Sequence, residues 1–288
     1  MASQTTAPAR MIEHSVRSRF NRMALKRTLL DCVDIGGTVL RRYFGKIVHP
    51  RQKESPSSVV CDADLASEHK VLQHIRRRFP DHNIIAEESG RVWRSSEYTW
   101  VIDPLDGTSN FVAGLPWFGV QIAVLRKAKP ILAAMYLPIE DVLYFAEAGQ
   151  GAFRNGKRVT VSPEPDASKT LLAFGFDPAP ERRTRNRVEL LFRVSGIVRN
   201  TRATNCLLDF CYTIDGRFGG CINLKTKIWD IAPVALILPE AGGRFTYVDG
   251  APLRFELNER VTEREYAILG ASPMLHAKLA ALTQRRAA

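Results

Sequence analysis

The 288 residues suit one large domain or two closely packed ones, and a composition of 45% hydrophobic and 25% charged residues is that of a globular protein. No apolar run approaches the ~18–20 residues of a membrane span and no signal-peptide core opens the chain, which argues against the membrane and secretion and for a cytoplasmic protein. Five scattered cysteines (Cys32, Cys61, Cys206, Cys211, Cys221) form neither a CxxC pair nor a Cys/His zinc spacing and read as reduced thiols.

The net charge of +11 is concentrated at the start, where residues 1–53 hold 11 Lys/Arg against 3 Asp/Glu, a net +8. Residues 1–24 read as a basic, flexible arm, small and polar up to Arg10. With Arg17, Arg19, Arg22 and Arg27, this stretch suits a solvated helix face, a contact for nucleic acid or another polyanion, or an organelle transit peptide. No aromatic-interleaved basic stripe or nucleic-acid motif supports the polyanion reading.

Helical apolar spacing follows over Leu25 to Phe44 and Leu65 to Phe79. Strands are expected at Ile84 to Ala86, Thr99 to Ile102, Phe118 to Leu125, Ile131 to Leu137 and Val142 to Ala146, with a hairpin turn at Asn155-Gly156. Pro163 to Asp166 reads as a surface loop. Beyond Asp177-Pro178-Ala179-Pro180 the pattern becomes helix Arg182 to Val194, strand Ile197 to Thr201 and helix Asn205 to Ile214. An apolar helix after Asp230, strands Gly243 to Val248 and Ala267 to Ala271, and a last helix after Ser272-Pro273 complete it. This alternation predicts an α+β half, residues 25–180, packed on an α/β half, residues 181–288.

The chemistry concentrates at the ends of apolar runs. Asp103-Pro104-Leu105-Asp106-Gly107-Thr108 sets two carboxylates three residues apart after a β-forming stretch, on what reads as one tight turn. Two anions that close repel unless a proton or cation sits between them, and a hard divalent cation such as Mg²⁺ favours oxygen ligands. Thr108, Ser109 and Asn110 add hydroxyls and a helix-like start whose free N–H groups suit an anion. Glu87 and Glu88 end a second strand, and Asp230 opens the stretch Ile231 to Leu238, which stops at Glu240-Ala241-Gly242-Gly243.

In these motifs the chain resembles the inositol monophosphatase superfamily of Mg²⁺-dependent phosphatases. Asp103 to Thr108 matches its first signature, Trp229-Asp230 with Ala232 and Glu240 to Gly243 its second, and Glu87-Glu88-Ser89 its Glu-Glu-Ser element. The resemblance covers Lys53 to Gly270 and implies a layered αβαβα fold of the fructose-1,6-bisphosphatase type. It also implies homodimers, lithium sensitivity, and two or three Mg²⁺ ions per site. Asp103 would bridge two ions, with Glu87 and the Leu105 carbonyl completing one site and Asp106 and Asp230 the other. Glu87 and Thr108 would orient the attacking water, with Asp64 supporting that network or a third, weaker ion. Backbone N–H groups of Gly107 and Thr108 would hold the phosphate, and Lys53 stands at the family's loop lysine.

The departures from the pattern bear on substrate. Asn223 stands where inositol monophosphatases usually carry a Glu that bonds a sugar hydroxyl, and Lys225 and Lys227 add cations beside it. Ser58 stands where an acid is common, and Cys61 where Thr is common. The expected function is hydrolysis of a small phosphorylated polyol or related metabolite. Alternatives are histidinol phosphate, fructose 1,6-bisphosphate or a 3′-phosphonucleotide, or a non-catalytic phospholigand-binding regulatory role.

Overall fold

The computed structural model describes residues 7–46, 49–53, 59–177 and 180–284. Residues 1–6, the side chains of residues 7–20 and Ser58 lie outside that description; of the expected arm, the backbone of residues 7–24 is described and is helical.

The first helix, α1 (Ala7–Tyr43), starts well before the expected Leu25: no Gly or Pro interrupts the chain between Pro8, tolerated in a first turn, and Gly36. A two-stranded ribbon, β1 (Arg51–Gln52) and β2 (Val59–Val60), leads into α2 (Asp62–Arg78). Next come β3 (Asn83–Ala86), β4 (Gly90–Val92), β5 (Tyr98–Asp106), the short α3 (Thr108–Val112), β6 (Gly119–Arg126), β7 (Lys129–Leu137), β8 (Val142–Glu147), β9 (Ala152–Arg154) and β10 (Lys157–Val159). These strands form an eight-stranded sheet in the order β10-β9-β8-β7-β6-β5-β3-β4. Asn155 and Gly156, both at positive φ, make the expected turn between β9 and β10.

The second half contains β11 (Leu171–Gly175), α4 (Glu181–Ser195), β12 (Asn200–Arg202), α5 (Leu208–Ile214), β13 (Gly220–Thr226), α6 (Ile228–Ile231), α7 (Val234–Glu240), β14 (Arg244–Tyr247), β15 (Tyr266–Ala271) and α8 (Pro273–Gln284). Its five strands run in the order β12-β11-β13-β15-β14, with β11 parallel to both neighbours and β13 antiparallel to β15.

The period-two alternation of strands sorts the apolar side chains into three cores. Ile84, Trp100, Ile102, Val120, Ile122 and Ala134 face α1 and α2. Their neighbours Ile85, Val101, Ala123, Leu125 and Met135 face the other way, onto α5, α6, α7 and one face of the smaller sheet. Leu172, Phe174, Ile222 and Leu269, on that sheet's far face, pack against α4 and α8. The result is five layers, helices–sheet–helices–sheet–helices, as expected of an αβαβα fold. α1 lies so close to β7 that a Cβ on Gly37 would stand 2.4 Å from the Tyr136 ring. Among the described residues no helix is long and apolar enough to cross a membrane.

Several boundaries differ from expectation. The 197–201 strand begins only at Asn200, because residues 196–199 form the turn leaving α4. The helix expected from Asn205 begins at Leu208, since Asn205 takes a left-handed conformation (φ 51°). The Asp230 helix is divided into α6 and α7 at Pro233, which lacks the N–H a continuous helix would use. Strands β11 and β13, the middle of the smaller sheet, carry short apolar runs that sequence periodicity did not single out.

Candidate active site

Strand β5 carries the first acid pair, with a change from expectation. Asp103 and Asp106 share one strand end whose register with β6 shifts between them, not a turn after the strand. Pro104 cannot donate to the ladder, and the irregularity absorbs it. Asp103 is fully buried, and its Oδ1 accepts the Leu105 N–H at 3.1 Å. Asp106 accepts the Leu207 N–H at 3.0 Å and Gln121 Nε2 at 2.5 Å.

Gly107 then turns the chain into α3 at φ 93°, where a Cβ would lie 2.5 Å from the Trp117 carbonyl oxygen; only glycine fits. Thr108 Oγ1 lies 2.9 Å from Asp64 Oδ1 and 3.0 Å from the Leu105 carbonyl oxygen. Asp64 itself is fully buried in the first turn of α2, where its Oδ2 accepts the Cys61 N–H at 2.9 Å. It sits behind Thr108 and does not reach the cavity.

The Glu pair follows β3. Lys53 Nζ donates to Glu87 at 2.9 Å and to Glu88. The buried carboxylate of Glu68 fixes this bend by accepting the N–H groups of Glu88 (2.9 Å) and Ser89 (2.8 Å). The smaller sheet supplies the other side. Asp230, in the first turn of α6, accepts the Lys227 N–H at 2.6 Å, while Asn223 and Lys225 lie on β13.

Lys53, Glu87, Asp103, Leu105, Asp106, Gly107, Thr108, Asn223 and Asp230 all line one cavity of about 320 Å³. Of the site residues expected from sequence, only Asp64 stands outside it. Among the described residues no three Asp, Glu, His or Cys side chains close on a common point as they stand. Lys53 and backbone N–H groups engage their oxygens instead.

The donor set nevertheless fits a hard divalent cation. Burial, and then the charge of Glu87, raises the carboxyl of Asp103 well above its ordinary range. Burial and then Asp230 do the same to Asp106. Asp230 is pushed up to about 7 by burial and by Glu87. Burial also raises Glu87, although Lys53 opposes it; burial disfavours the Lys53 ammonium, yet Glu87 and Glu88 hold its pKa above the usual range. Gln121 Oε1 is buried with no hydrogen-bond partner beside these acids. Of the three lysines that line the cavity only Lys53 engages this cluster of oxygen acceptors, which is therefore short of positive charge, the condition a Mg²⁺-type ion relieves.

Sequence reading passed over Gln121 and Glu68. Gln121 is the single polar side chain within Val120 to Leu125, and a lone amide in a buried strand was the available clue. Glu68 gave none, because a helical acid looks solvated until the fold buries it.

Known proteins resemble the chain in sequence and in fold. The chain is 36% identical over 218 residues to the fructose-1,6-bisphosphatase/inositol-1-monophosphatase of Aquifex aeolicus, covering 74% of this chain and 81% of that protein. It is 39% identical over 195 residues to Nus factor SuhB of Pasteurella multocida, covering 66% and 72% respectively. The crystal structure of extragenic suppressor protein suhB from Bartonella henselae superposes with a TM-score of 0.83 at 27% identity, over 92% of this chain and 100% of that one. Residues 25–288, which build the five layers and the shared cavity, match the inositol monophosphatase family as a whole, and the chain belongs to that family.

Proposed function

We propose that this protein is a Mg²⁺-dependent phosphomonoesterase acting on a small phosphorylated polyol. The observation that carries the reading is the convergence of Glu87, Asp103, Leu105 and Asp106 from the larger sheet and Asp230 from α6 on one cavity. Those four carboxylates and the Leu105 carbonyl would hold the ions. When bound, the ions would neutralise the acids and stabilise charge on the attacking and leaving oxygens.

The chain's own groups supply position. Thr108 Oγ1, steadied between Asp64 and Leu105, would orient the attacking water together with a Glu87 carboxylate oxygen. N–H groups of Gly107 and Thr108 would bind the phosphate, with Lys53 adding positive charge at the Glu87 side. Asn223 would bond a polyol hydroxyl. The half built on the larger sheet and the half built on the smaller one, whose β11 (Leu171–Gly175) precedes the expected boundary at 180, would meet at this site, and pairing of two chains belongs to the same proposal.

The deciding assay is Mg²⁺-dependent phosphate release from inositol 1-phosphate, fructose 1,6-bisphosphate, 3′-phosphoadenosine 5′-phosphate and histidinol phosphate. Asp103→Asn and EDTA-treated protein serve as controls. We expect turnover of at least one substrate, lost by a factor of 10² or more in both controls. Hydrolysis surviving in Asp103→Asn would remove the metal assignment. The 39% identity to a protein named a Nus factor favours a second reading, a regulatory role in transcription. A folded, Mg²⁺-equilibrated protein that hydrolyses none of the panel would leave that reading in place.

A further inference from the structure

The side of the cavity built from the smaller sheet differs in charge from the carboxylate side. On β13 the pairing with β15 shifts between Asn223 and Thr226, and Lys225 lies within that irregularity. Asn223 and Lys225, two residues apart, both line the cavity, while Leu224 between them packs on the core beneath. The Lys225 backbone N–H donates to Asn223 Oδ1 at 3.1 Å, which ties the two positions together. Among the described residues the half-buried Lys225 ammonium has neither a hydrogen bond nor an ion pair, whereas the neighbouring Lys227 Nζ donates to the Glu263 carbonyl at 2.8 Å.

One acid, Asp177, lies on this side of the cavity. Lys225 and the buried Arg187, whose Nη1 donates to the Asp177 backbone carbonyl at 2.7 Å, both act on its charge, but neither forms an ion pair with it. The exposed Glu265 and the metal-ligand candidate Asp230 are the other carboxylates whose charges act with that of Asp177. Lys225, Lys227 and Arg187 stand against Asp177, Asp230 and the solvent-exposed Glu265, and of the three cations only the Lys225 side chain lacks a hydrogen bond among the described residues. A half-buried ammonium directed into a substrate-sized cavity without a partner is costly unless a ligand supplies the anion.

We infer that Lys225 is the anchor of a second anion subsite, so that the preferred substrate carries an anionic group in addition to the phosphate that is cleaved. The inference rests on the phosphatase reading above and deepens it by naming the substrate class, a polyol bisphosphate. Asn223, in place of a carboxylate, bonds the intervening hydroxyls without repelling that second group.

The test compares fructose 1,6-bisphosphate with fructose 1-phosphate and fructose 6-phosphate, and adds 6-phosphogluconate, whose C1 carboxylate lies at the opposite end of the chain from its C6 phosphate. Wild type, Lys225→Met, Lys225→Arg and Asp177→Asn are assayed with Mg²⁺. The ratio of kcat/KM for bisphosphate over monophosphate should fall about ten- to hundredfold in Lys225→Met, the scale of one charge-assisted hydrogen bond. It should be restored at least in part by Lys225→Arg and rise several-fold in Asp177→Asn. A 6-phosphogluconate preference that falls in parallel extends the subsite to carboxylates; one that does not move confines it to phosphate. An unchanged bisphosphate ratio in Lys225→Met overturns the inference while leaving the phosphatase reading intact. Absence of turnover in wild type overturns the phosphatase reading instead. Calorimetric titration of the same Mg²⁺-equilibrated proteins then decides the subsite: a bisphosphate that binds wild type no tighter than Lys225→Met overturns it.

Discussion

The acids of this cavity are held by a small number of donors, and Gln121 is the most exposed to test. Its amide N–H is one of two donors to Asp106, the other being the Leu207 backbone. Gln121→Met keeps the length and removes the donor, at a cost on the order of 1.5–3 kcal/mol for a bond to a charged group. If Asp106 binds metal, the Mg²⁺ concentration giving half-maximal turnover should shift several-fold in that variant. Wild-type Mg²⁺ dependence would show that the Leu207 N–H positions Asp106 alone. At this scale the sequence was largely legible. Acids at strand and helix ends announce themselves, and the four carboxylates singled out do line one cavity. Their supports were not legible, because a glutamine in a strand or a glutamate in a helix acquires its role from what lies across the fold.

Among the elements, the junction of β5 and α3 sets the geometry. Gly107 combines a φ of 93° with a site where a Cβ would approach the Trp117 carbonyl oxygen to 2.5 Å and Cys206 Cβ to 3.0 Å. Gly107→Ala should therefore destabilise the protein by at least about 2 kcal/mol, read as a lowered urea midpoint at unchanged slope. A midpoint within error of wild type would mean that the Trp117 loop yields freely. Element boundaries were the weaker part of the sequence reading. Asn205 supports its own left-handed backbone by hydrogen bonds to the Phe176 N–H and carbonyl, a contact across 29 residues that delays α5 to Leu208. Periodicity over a local window contains no trace of that contact.

Across the whole molecule, the site lies between the two sheets. Asp103 and Asp106 belong to the larger sheet, while Asp230 enters from α6 in the helical layer between the sheets. A cation bound by acids from both would favour the folded state by mass action, by about 2.7 kcal/mol at a hundred times its Kd. The midpoint of thermal unfolding should accordingly rise with Mg²⁺ concentration in wild type and stay flat in Asp103→Asn. An equal rise in both proteins would place the ion elsewhere.

The sequence by itself determined the fold family, the reaction class expected of it and the acids that gather at one cavity. Those properties reside in short contiguous motifs, where spacing along the chain nearly equals spacing in space. Only the tertiary structure decided that Asp64 stands behind Thr108 instead of in the cavity, and that Lys53 bridges Glu87 and Glu88. It alone decided that, among the described residues, the Lys225 side chain has neither a hydrogen bond nor an ion pair beside Asp177. These relations join residues from different layers, and the packing of one sheet's helices against the other sets them, which no local pattern records.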